Sequence, residues 1–564
     1  MSGLPQGLPE PVGDAARALA QSTGLALTVA DWLNRRGHEA GEQLNGFLQP
    51  KLTDLTQPDQ MADRDAAAER IARAIKDRER IAVFGDYDCD GITSASIMTE
   101  VLRALGGDAV PFLASRFEGG YGVSAPAVDK ILKSEPGVLV TCDCGSSDHA
   151  SLQRTQDAGV DNVVIDHHLV PAQPLPAVAF LNPHRDICDF PYKGMASCGL
   201  ALSMAAALRS KLDQKLDIRS WLDLVAIGTI ADVAPLDGDN RVLVRAGLKR
   251  LSQAERPGIR ALFELAKITP GEELGGRDVA FRIAPRLNAP GRLGSPDIVL
   301  ELLTAKDITQ ARGIAAEIEQ LTIRRRRIQD EMIEAAYEDI ASGQLSERAG
   351  IVIGREGWNS GIVGIVAGRL ADKYKVPVAV IGFEDGHGRG SVRGPDGVRL
   401  HDMLSSIEGV MDRFGGHQAA AGLEVNWEKF SELAEAFDAA AKEFPPTVPA
   451  GSRFDDVVWL DPGDDPASVI RDLYRVEPCG EKNPRPRIAV RARVTQARSV
   501  KGGHLKLSLA VGDARLSGFA PTRGDLAKEL GGSALIIGDL KFDTYRGNGA
   551  VEIYVDEIFP LPAD

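Results

Sequence analysis

The stretch "IAVFGDYDCDGITSAS", residues 81–96, joins an apolar run to three acidic residues that stand at every second position. The apolar run predicts a buried strand, and the small and apolar residues that follow predict a helix. Asp86, Asp88 and Asp90 would share one face of an extended chain, where three carboxylates repel one another unless a cation lies between them. This stretch therefore predicts the first strand of a sheet with a metal site at its end.

Strands and helices alternate on the C-terminal side of this stretch. Val- and Ile-rich runs such as "GVLVTCDCG" and "NVVIDHH" are separated by amphipathic segments, one of which has Ser124 as its predicted N-cap. Near-continuous apolar strands with helices between them are typical of a parallel sheet covered on both faces. Ligands of such sheets bind beyond the carboxyl ends of the strands, where the acidic and histidine residues of this region fall.

The length of 564 residues is too great for a single core and predicts a multidomain α/β protein. Residues 307–340 contain no proline and predict a long connecting helix, while a proline-rich break at about 445–452 marks a boundary. Short strands with glycine-rich turns follow and predict a small β-barrel of the OB type. The predicted units are an N-terminal helical region (1–75), a parallel-sheet domain (76–306), the connecting helix (307–342), a second α/β domain (343–447) and the barrel (452–564).

The net charge of −15 argues at first sight against a nucleic-acid partner, because phosphate binding needs basic surface. It does not decide the matter, since acidic residues that bind cations count as negative although an occupied site is neutral. The six cysteines are too scattered for a disulfide framework, and the sequence shows neither a signal peptide nor a membrane-spanning run. We therefore expect a cytoplasmic protein that does not associate with membranes.

Acidic and imidazole side chains recur where elements of the predicted parallel-sheet domain end. They are Asp88, Asp90, Asp143 in "TCDCGSS", Asp166, His167 and His168 in "VIDHHLV", and Asp232 in "GTIADVAPL". Any one acid among them is more often a cap or turn residue, but the set together predicts a metal site. Mixed carboxylate and imidazole ligands suit Mn²⁺ or Mg²⁺ better than Zn²⁺. Cys142 and Cys144 point away from Asp143 on a strand and are predicted to be buried thiols.

The ordered motifs carry a family resemblance. "VFGDYDCDGITSAS", "TCDCG", "VIDHHLV", "GTIADVAPLDGDNRVLV" and "PRLNAPGRL" resemble the DHH phosphoesterase superfamily, and within it the RecJ branch of single-strand-specific 5′-to-3′ DNA exonucleases. "GWNSGIVGIVAGRL", "GRGSVRG" and "FGGHQAAAGLEV" are similar to the DHHA1 domain that accompanies it. The resemblance covers about residues 40–560 and assigns 76–306 to DHH and 343–447 to DHHA1.

The resemblance implies two divalent cations, Mn²⁺ or Mg²⁺, in a DNA repair and recombination enzyme that hydrolyses phosphodiesters without a covalent intermediate. The implied ligands are Asp88, Asp90, Asp143, His167 and Asp232, with Asp143 as the bridge. His168 would face the scissile phosphate. Asp166 would orient an imidazole, and Asp86 would support the site rather than ligate.

The resemblance also implies how the substrate is held. Arg116, Ser391 and Arg393 would bind a 5′-terminal phosphate, Arg292 and His417 would contact the strand near the cut, and Tyr121 lies close to the metal strands in sequence. A surface ion pair is the alternative interpretation for each arginine. Glycines on both sides of Ser391 and Arg393 favour close approach of a phosphate to the backbone. The four arginines 324–327 on the long helix are predicted to be solvated, because they cannot all face one ligand.

The predicted barrel contains a run of basic residues that would supply a groove for a phosphate backbone. These are Arg485, Arg487, Arg491, Arg493, Arg498, Lys501 and Lys506. Alternate residues Arg491 and Arg493 share a strand face. Stacking aromatics are sparse in this region, with Phe519, Phe542 and Tyr545 as the candidates.

The family role implies single-stranded DNA with a free 5′ end as the substrate, and a helicase and a single-strand-binding protein as partners of an enzyme that we expect to be monomeric. A second hypothesis is an oligoribonuclease or cyclic-dinucleotide phosphodiesterase of the same superfamily. A third is a non-catalytic DNA-binding scaffold of the replisome. The exonuclease ranks first because the metal-binding residues, the "PRLNAPGRL" segment and the predicted barrel occur together.

Overall fold

The computed structural model describes residues 5–416, 418–447, 453–512, 514–543, 546–547 and 549–562. The strands are β1 (Arg80–Gly85), β2 (Asp108–Leu113), β3 (Val138–Cys142), β4 (Asp161–Ile165), β5 (Ala179–Leu181), β6 (Ile351–Glu356), β7 (Val378–Glu384), β8 (His387–Arg393), β9 (Arg413–Gly416), β10 (Ala420–Asn426), β11 (Val457–Trp459), β12 (Arg487–Val500), β13 (His504–Val511), β14 (Ala514–Ala520), β15 (Gly532–Phe542) and β16 (Val551–Pro560).

The helices are α1 (Asp14–Thr23), α2 (Leu27–Arg35), α3 (Glu42–Leu48), α4 (Arg64–Asp77), α5 (Cys89–Ala104), α6 (Ala125–Leu132), α7 (His149–Asp157), α8 (Ser197–Lys211), α9 (Leu222–Ala231), α10 (Gly238–Ser252), α11 (Pro257–Ala266), α12 (Gly276–Asp278), α13 (Ala284–Leu287), α14 (Pro290–Leu293), α15 (Asp297–Thr304), α16 (Ile308–Ser342), α17 (Val363–Tyr374), α18 (Leu400–Ser405), α19 (Phe430–Glu443) and α20 (Pro466–Val476). None of the described helices combines the length and hydrophobicity that crossing a bilayer requires.

The first sheet has the order β2-β1-β3-β4-β5, and every pairing in it is parallel. Its two faces belong to different hydrophobic clusters, because Ile81 and Val83 pack on one side of β1 while Ala82 and Phe84 pack on the other. This confirms the prediction of a parallel sheet covered on both faces. The carboxyl ends of β1, β3 and β4 meet at one edge and carry the predicted acids.

The second sheet has the order β6-β7-β8-β10-β9 and is mixed, with only the β6–β7 pairing parallel. The predicted long helix is confirmed as α16, which has 35 residues and begins after its N-cap Asp307. The segment "LHDMLSSIEGVMDRF", residues 400–414, has a sequence pattern that predicts one continuous helix, and this prediction is wrong. The helix ends at Ser405, and residues 413–416 form the edge strand β9, because backbone pairing with β10 outweighs local helical propensity there.

The barrel is closed, because β12 pairs with β13 at one part of its length and with β15 at another. Strands β12, β13, β14, β16 and β15 form the ring. Leu19, Trp32 and Leu44 of the N-terminal helices share a hydrophobic cluster with Ile488 and Val490 of β12. The two ends of the chain therefore pack together, a contact between segments far apart in sequence that local patterns do not predict.

Candidate metal centre and nucleic-acid site

The turn from β1 into α5 sets the first acids. The helix begins at Cys89, and Asp88 is its N-cap, with Oδ1 accepting hydrogen bonds from the N–H groups of Asp90 and Gly91 at 3.1 Å each. The expectation that Asp86, Asp88 and Asp90 share one extended face is wrong, because helix α5 starts at Cys89 and Asp90 is already helical. Asp86 is buried and its Oδ1 accepts a hydrogen bond from the Gly122 N–H at 3.4 Å.

Asp90 is held by a second helix. Its Oδ2 accepts from the Ser197 N–H at 2.8 Å and its Oδ1 from the Cys198 N–H at 2.9 Å, both in the first turn of α8. A carboxylate is favourable at this position because the N-terminus of a helix carries partial positive charge. Residues 107 positions apart in sequence thus fix the orientation of Asp90.

Asp143 follows β3 in a left-handed conformation, with φ of 65°. Aspartate tolerates this conformation better than most residues do. Its Oδ1 is buried and has no hydrogen-bond partner among the described residues, and the same is true of Nε2 of His167. These two atoms lie 3.3 Å apart. Two buried polar atoms without hydrogen bonds therefore face each other at this site.

His167 connects the candidate ligands. Its Nε2 lies 3.7 Å from Oδ2 of Asp232 and 4.0 Å from Oδ2 of Asp90. Ligand atoms of Asp90, His167 and Asp232 lie within 4.8 Å of one another, as do those of Asp143, His167 and His168. Asp88 is in neither group of described residues, although its charge raises the pKa of Asp232 and Asp143.

His168 is positioned by Asp166. Its Nδ1 lies 2.8 Å from Oδ1 of Asp166, which also accepts the backbone N–H of His167 at 2.8 Å. The other oxygen of Asp166 accepts the Ser146 N–H at 3.0 Å. Although burial alone would lower it, the hydrogen bond and charge of Asp166 raise the pKa of His168 to about 9. The Tyr121 hydroxyl lies 3.0 Å from the same Nδ1.

Without a cation this cluster is electrostatically unfavourable. Burial and the repulsion of Asp90 and Asp88 raise the pKa of Asp143 well above its usual range. The same causes raise the pKa of Asp232. Buried carboxylates that repel one another, together with an unpartnered imidazole nitrogen, fit a site for divalent cations. Oxygen-rich ligands with one or two imidazoles suit Mn²⁺ or Mg²⁺.

Gly91 allows helix α5 to approach Asp86. A Cβ at this position would lie 2.6 Å from the backbone N and O of Asp86 and 2.7 Å from its Cα. We predict that Gly91→Ala lowers the free energy of unfolding by about 1–3 kcal/mol and weakens binding of divalent cations at the acid cluster, because backbone atoms must shift. Denaturant unfolding and titration with Mn²⁺ measure the two effects. The control is Gly313→Ala within α16, where no atom lies within 4 Å and a small gain in stability is expected.

Four arginines lie close to one another, and Arg116 also contacts Tyr87, which stands between Asp86 and the helix N-cap Asp88. The guanidinium of Arg116 lies 3.9 Å from the Tyr87 ring centroid, and its Nε is buried without a hydrogen-bond partner among the described residues. Burial, followed by the charges of Arg116 and Arg325, lowers the pKa of Arg292 to about 10. Arg393 adds to the same effect on Arg292. Like charges gathered in a buried place predict an anionic ligand.

The second α/β unit supplies one wall of this arginine group. Nη1 of Arg393 donates to the Ser391 hydroxyl at 2.7 Å, and both side chains lie against Gly364 near the start of α17. Arg292 contacts the same region, because its Nη1 donates to the Gly361 carbonyl at 3.0 Å. Arg116, Arg292, Ser391 and Arg393 are thus brought together, whereas His417 lies outside the described residues.

Arg325 is the member of the group that the sequence reasoning missed. The prediction of four solvated arginines is wrong at this position, since Arg325 is buried and its Nε has no hydrogen-bond partner among the described residues. The pattern was present in the sequence. Ile318 and Thr322 are buried on the same helix face, seven and three residues before Arg325, so helical spacing places the arginine on that face.

Comparison with known proteins identifies the family. Family models match as the DHH family N-terminal domain at residues 80–229, the DHHA1 domain at 347–443 and the RecJ OB domain at 459–557. The single-stranded-DNA-specific exonuclease RecJ of Dickeya dadantii is 34% identical over 559 residues, covering 93% of this chain and 94% of that protein. The chain belongs to the RecJ family. RecJ of Escherichia coli is 33% identical, covering 97% of this chain and 98% of that protein.

A solved member of the RecJ family has the same architecture. The crystal structure of RecJ in complex with Mn²⁺ from Thermus thermophilus superposes with a TM-score of 0.81 at 30% identity, covering 99% of this chain and 79% of that chain. The corresponding complex with Mg²⁺ superposes with a TM-score of 0.75 at 28% identity, covering 99% of this chain and 78% of that chain.

The barrel of this RecJ family member carries less free positive charge than its sequence suggests. Arg485 pairs with Glu477 and Asp539, Arg487 pairs with Asp456 and Glu557, and Lys506 pairs with Glu552. The remaining basic residues of the run, Arg491, Arg493, Arg498 and Lys501, are exposed. None of these four has an ion-pair partner in the part of the chain that the structure describes, and Arg491 lies over the ring of Trp459.

The aromatic candidates also change. Phe542 is partly buried and packs against the hydrophobic interior of the barrel, and Tyr545 lies outside the described residues. Phe519 instead belongs to a row on the outer surface. Its ring centroid lies 5.3 Å from that of His504 and 5.8 Å from that of Tyr554. Strand pairing decides this, because Phe519 and Tyr554 occupy paired positions of β14 and β16.

Proposed function

We propose that this member of the RecJ family is an exonuclease that hydrolyses single-stranded DNA from a free 5′ end, with two divalent cations bound by its buried acid and imidazole cluster. One observation carries the proposal: Oδ1 of Asp143 and Nε2 of His167 are buried, lie 3.3 Å apart and have no hydrogen-bond partner among the described residues. The named activity of the RecJ relatives supports it.

The residues divide into ligands and supporting groups. Asp90, Asp143, His167 and Asp232 would hold the cations, and the charge of Asp88 at the start of α5 adds to the same site. Divalent cations bound there would supply Lewis acidity and positive charge at the phosphate. The chain itself fixes the geometry before substrate binds, because helix α8 orients Asp90 and the backbone after β3 presents Asp143.

His168 and Asp166 act next to the ligands. Asp166 accepts hydrogen bonds from the backbone N–H groups of His167 and His168 and from Nδ1 of the His168 ring, and rotation of that ring would break the Nδ1 bond. We assign His168 to the scissile phosphate and Tyr121, whose hydroxyl meets the same ring, to the substrate side of the site. Asp86 supports the turn through the Gly122 N–H.

The arginine group is proposed to set the direction of digestion, from the 5′ end of the DNA. Arg116, Arg292, Arg325 and Arg393 with Ser391 form a group of positive charge, and Arg116 joins it to the turn before α5 through its contact with Tyr87. A 5′-terminal phosphate fits this charge and its hydrogen-bond donors. If the 5′ terminus is bound at a constant distance from the acid cluster, the bond that is cut always lies near that terminus, and the reaction is exonucleolytic.

The experiment that tests the function uses single-stranded DNA labelled at either end, with Mn²⁺ or Mg²⁺. The expected result is release of the 5′ label in small products while the 3′-labelled strand shortens with time. Duplex DNA of the same sequence is the control and should resist cleavage. Release of the 3′ label first, or cleavage that survives EDTA, contradicts the proposal.

The superfamily alternative, an oligoribonuclease or cyclic-dinucleotide phosphodiesterase, and the replisome scaffold are not favoured. The RecJ OB domain match and the grouping of Asp90, Asp143, His167 and Asp232 both argue for the exonuclease. We propose a catalytic unit at 76–306 and a DHHA1 unit at 343–447, joined by the connecting helix at 307–342. The barrel at 452–564 and the N-terminal region at 1–75, which packs beside it, complete this division into domains.

The proposed partners of the protein are a helicase that supplies single strands and a single-strand-binding protein. We expect the protein to be a monomer that acts in the cytoplasm.

The barrel is proposed to bind the strand beyond the active site. Removing residues 452–564 would expose the apolar faces of α1–α3, so charge reversal is the cleaner test. We predict that the double variant Arg493→Glu, Arg498→Glu weakens single-stranded DNA binding and lowers the slope of log Kd against log salt by about 1.4, while kcat at saturating DNA is unchanged. Arg17→Glu on the exposed side of α1 is the control. An unchanged Kd in the double variant contradicts the role of the barrel.

A further inference from the structure

Helix α9 ends in an unusual way directly beside the acid cluster. Asp232 is its C-cap, and the next residue, Val233, has φ of 59° in the left-handed region. The Val233 N–H donates to the Ile230 carbonyl and the Ala234 N–H donates to the Thr229 carbonyl, both at 3.2 Å. These two bonds form a Schellman motif, in which the position of Val233 is normally glycine.

Local structure does not explain a valine at this position. A β-branched side chain crowds the backbone in the left-handed region, so valine is among the least favourable residues there. Burial does not compensate, because the Val233 side chain is 66% exposed. Strained residues persist where the side chain has a use, and they cluster at active sites.

The position of Val233 suggests that use. Asp232, its neighbour, lies 3.7 Å from Nε2 of His167 through Oδ2. On the histidine side of the cluster, Leu169 follows His168 and is 68% exposed. Each of these large apolar side chains is one residue away from a member of the charged cluster. The residues that follow Asp232 and His168 are therefore both large, apolar and exposed, and they come from two different parts of the chain.

We propose that Val233 and Leu169 contact the base of the nucleotide next to the phosphate that is cut. This inference rests on the proposed function. In a nucleotide the phosphate and sugar carry the charge and hydroxyl oxygens, which the acid cluster and the arginine group serve, and the base offers the large flat apolar surface. Contact by aliphatic side chains needs no hydrogen bonds, so it accepts every base, as digestion of any sequence requires.

The test compares Val233→Gly with the wild-type enzyme on two substrates. On 5′-phosphorylated single-stranded DNA we expect kcat/KM to fall at least about fivefold, a plausible loss for one aliphatic contact. On the same oligonucleotide with abasic residues at its 5′ end, the two enzymes should cleave equally, because the base is absent from both comparisons. The denaturation midpoint of the variant should not fall below that of the wild type, since glycine relieves the strain.

Two further variants sharpen the test. Val233→Ile keeps an aliphatic side chain and should retain the wild-type preference for DNA that carries bases. Lys375→Gly is the matched control, because Lys375 has φ of 59° at the end of α17 and is exposed far from these residues in sequence. It should leave both kinetic comparisons unchanged.

Each other outcome has a distinct meaning. An equal loss of activity on both substrates would show that Val233 only positions Asp232, and it would overturn the proposal. Unchanged activity of Val233→Gly on DNA that carries bases would overturn it too. Failure of the wild-type enzyme to cleave single-stranded DNA in this assay would instead contradict the function on which the inference rests.

Discussion

Asp143→Asn should reduce cleavage of single-stranded DNA by at least about 100-fold, because it removes the charge at the centre of the cluster while active-site electrostatics supply a large part of catalysis. Asparagine is the suitable replacement, since it has nearly the same size and tolerates the left-handed backbone at φ of 65°. The measurement is the initial rate with saturating Mn²⁺ on 5′-phosphorylated DNA.

The same variant has a second readout that separates metal loss from unfolding. Burial and repulsion from Asp90 and Asp88 raise the pKa of Asp143, so the neutral asparagine should leave the melting temperature in EDTA equal to or above that of the wild type. DNA binding should persist, because the arginine group and the barrel are intact. Asp157→Asn at the exposed end of α7 is the control and should change neither property. Full activity of Asp143→Asn would contradict the metal role.

Arg393→Ala should remove most of the preference of the enzyme for a 5′-phosphate over a 5′-hydroxyl. Hydrogen bonds to a charged group contribute about 1.5–3 kcal/mol, which corresponds to a loss of about 10- to 100-fold on the phosphorylated substrate. The rate on the 5′-hydroxyl substrate should change much less. The ratio of kcat/KM for the two substrates is therefore the quantity to measure.

The matched control for Arg393 lies on the same strand. Arg389 of β8 is exposed and pairs with Glu424 at 3.5 Å on the adjacent strand, so Arg389→Ala should leave the ratio unchanged. Arg325→Ala should lower the ratio in the same way as Arg393→Ala, because it removes a positive charge that lies close enough to Arg292 to lower the pKa of Arg292. Equal losses on both substrates in Arg393→Ala would show that the residue contacts the DNA chain at another position rather than the terminal phosphate.

Much of the site could be anticipated because it follows from local patterns. Asp143 and Asp166 come directly after buried parallel strands, and parallel strands of one sheet bring their carboxyl ends together. Another local pattern, a serine directly before a helical segment, predicted the N-cap at Ser124, whose hydroxyl accepts the Ala127 N–H at 3.4 Å. The burial of Cys142 and Cys144 as free thiols is confirmed as well.

The errors arose where distant segments meet. The run of basic residues in the barrel looked like one positive groove, but Asp456, Asp539 and Glu557 neutralise part of it from other strands and loops. Phe542 was a candidate for stacking on a base, but in the pairing of β15 with β16 its side chain packs against the barrel interior. An ion pair or a strand register joins residues whose separation in sequence carries no periodic signal.

The sequence by itself determined the alternation of elements, the position of acids at strand ends and the order of the family motifs, because helix and strand periods are local properties of the chain. Only the tertiary structure decided that α8 holds Asp90, that Arg325 joins the arginine group and that Val233 is strained beside Asp232. Each of these depends on how elements pack against one another. Packing reflects the shape and charge of neighbours that are not adjacent in sequence.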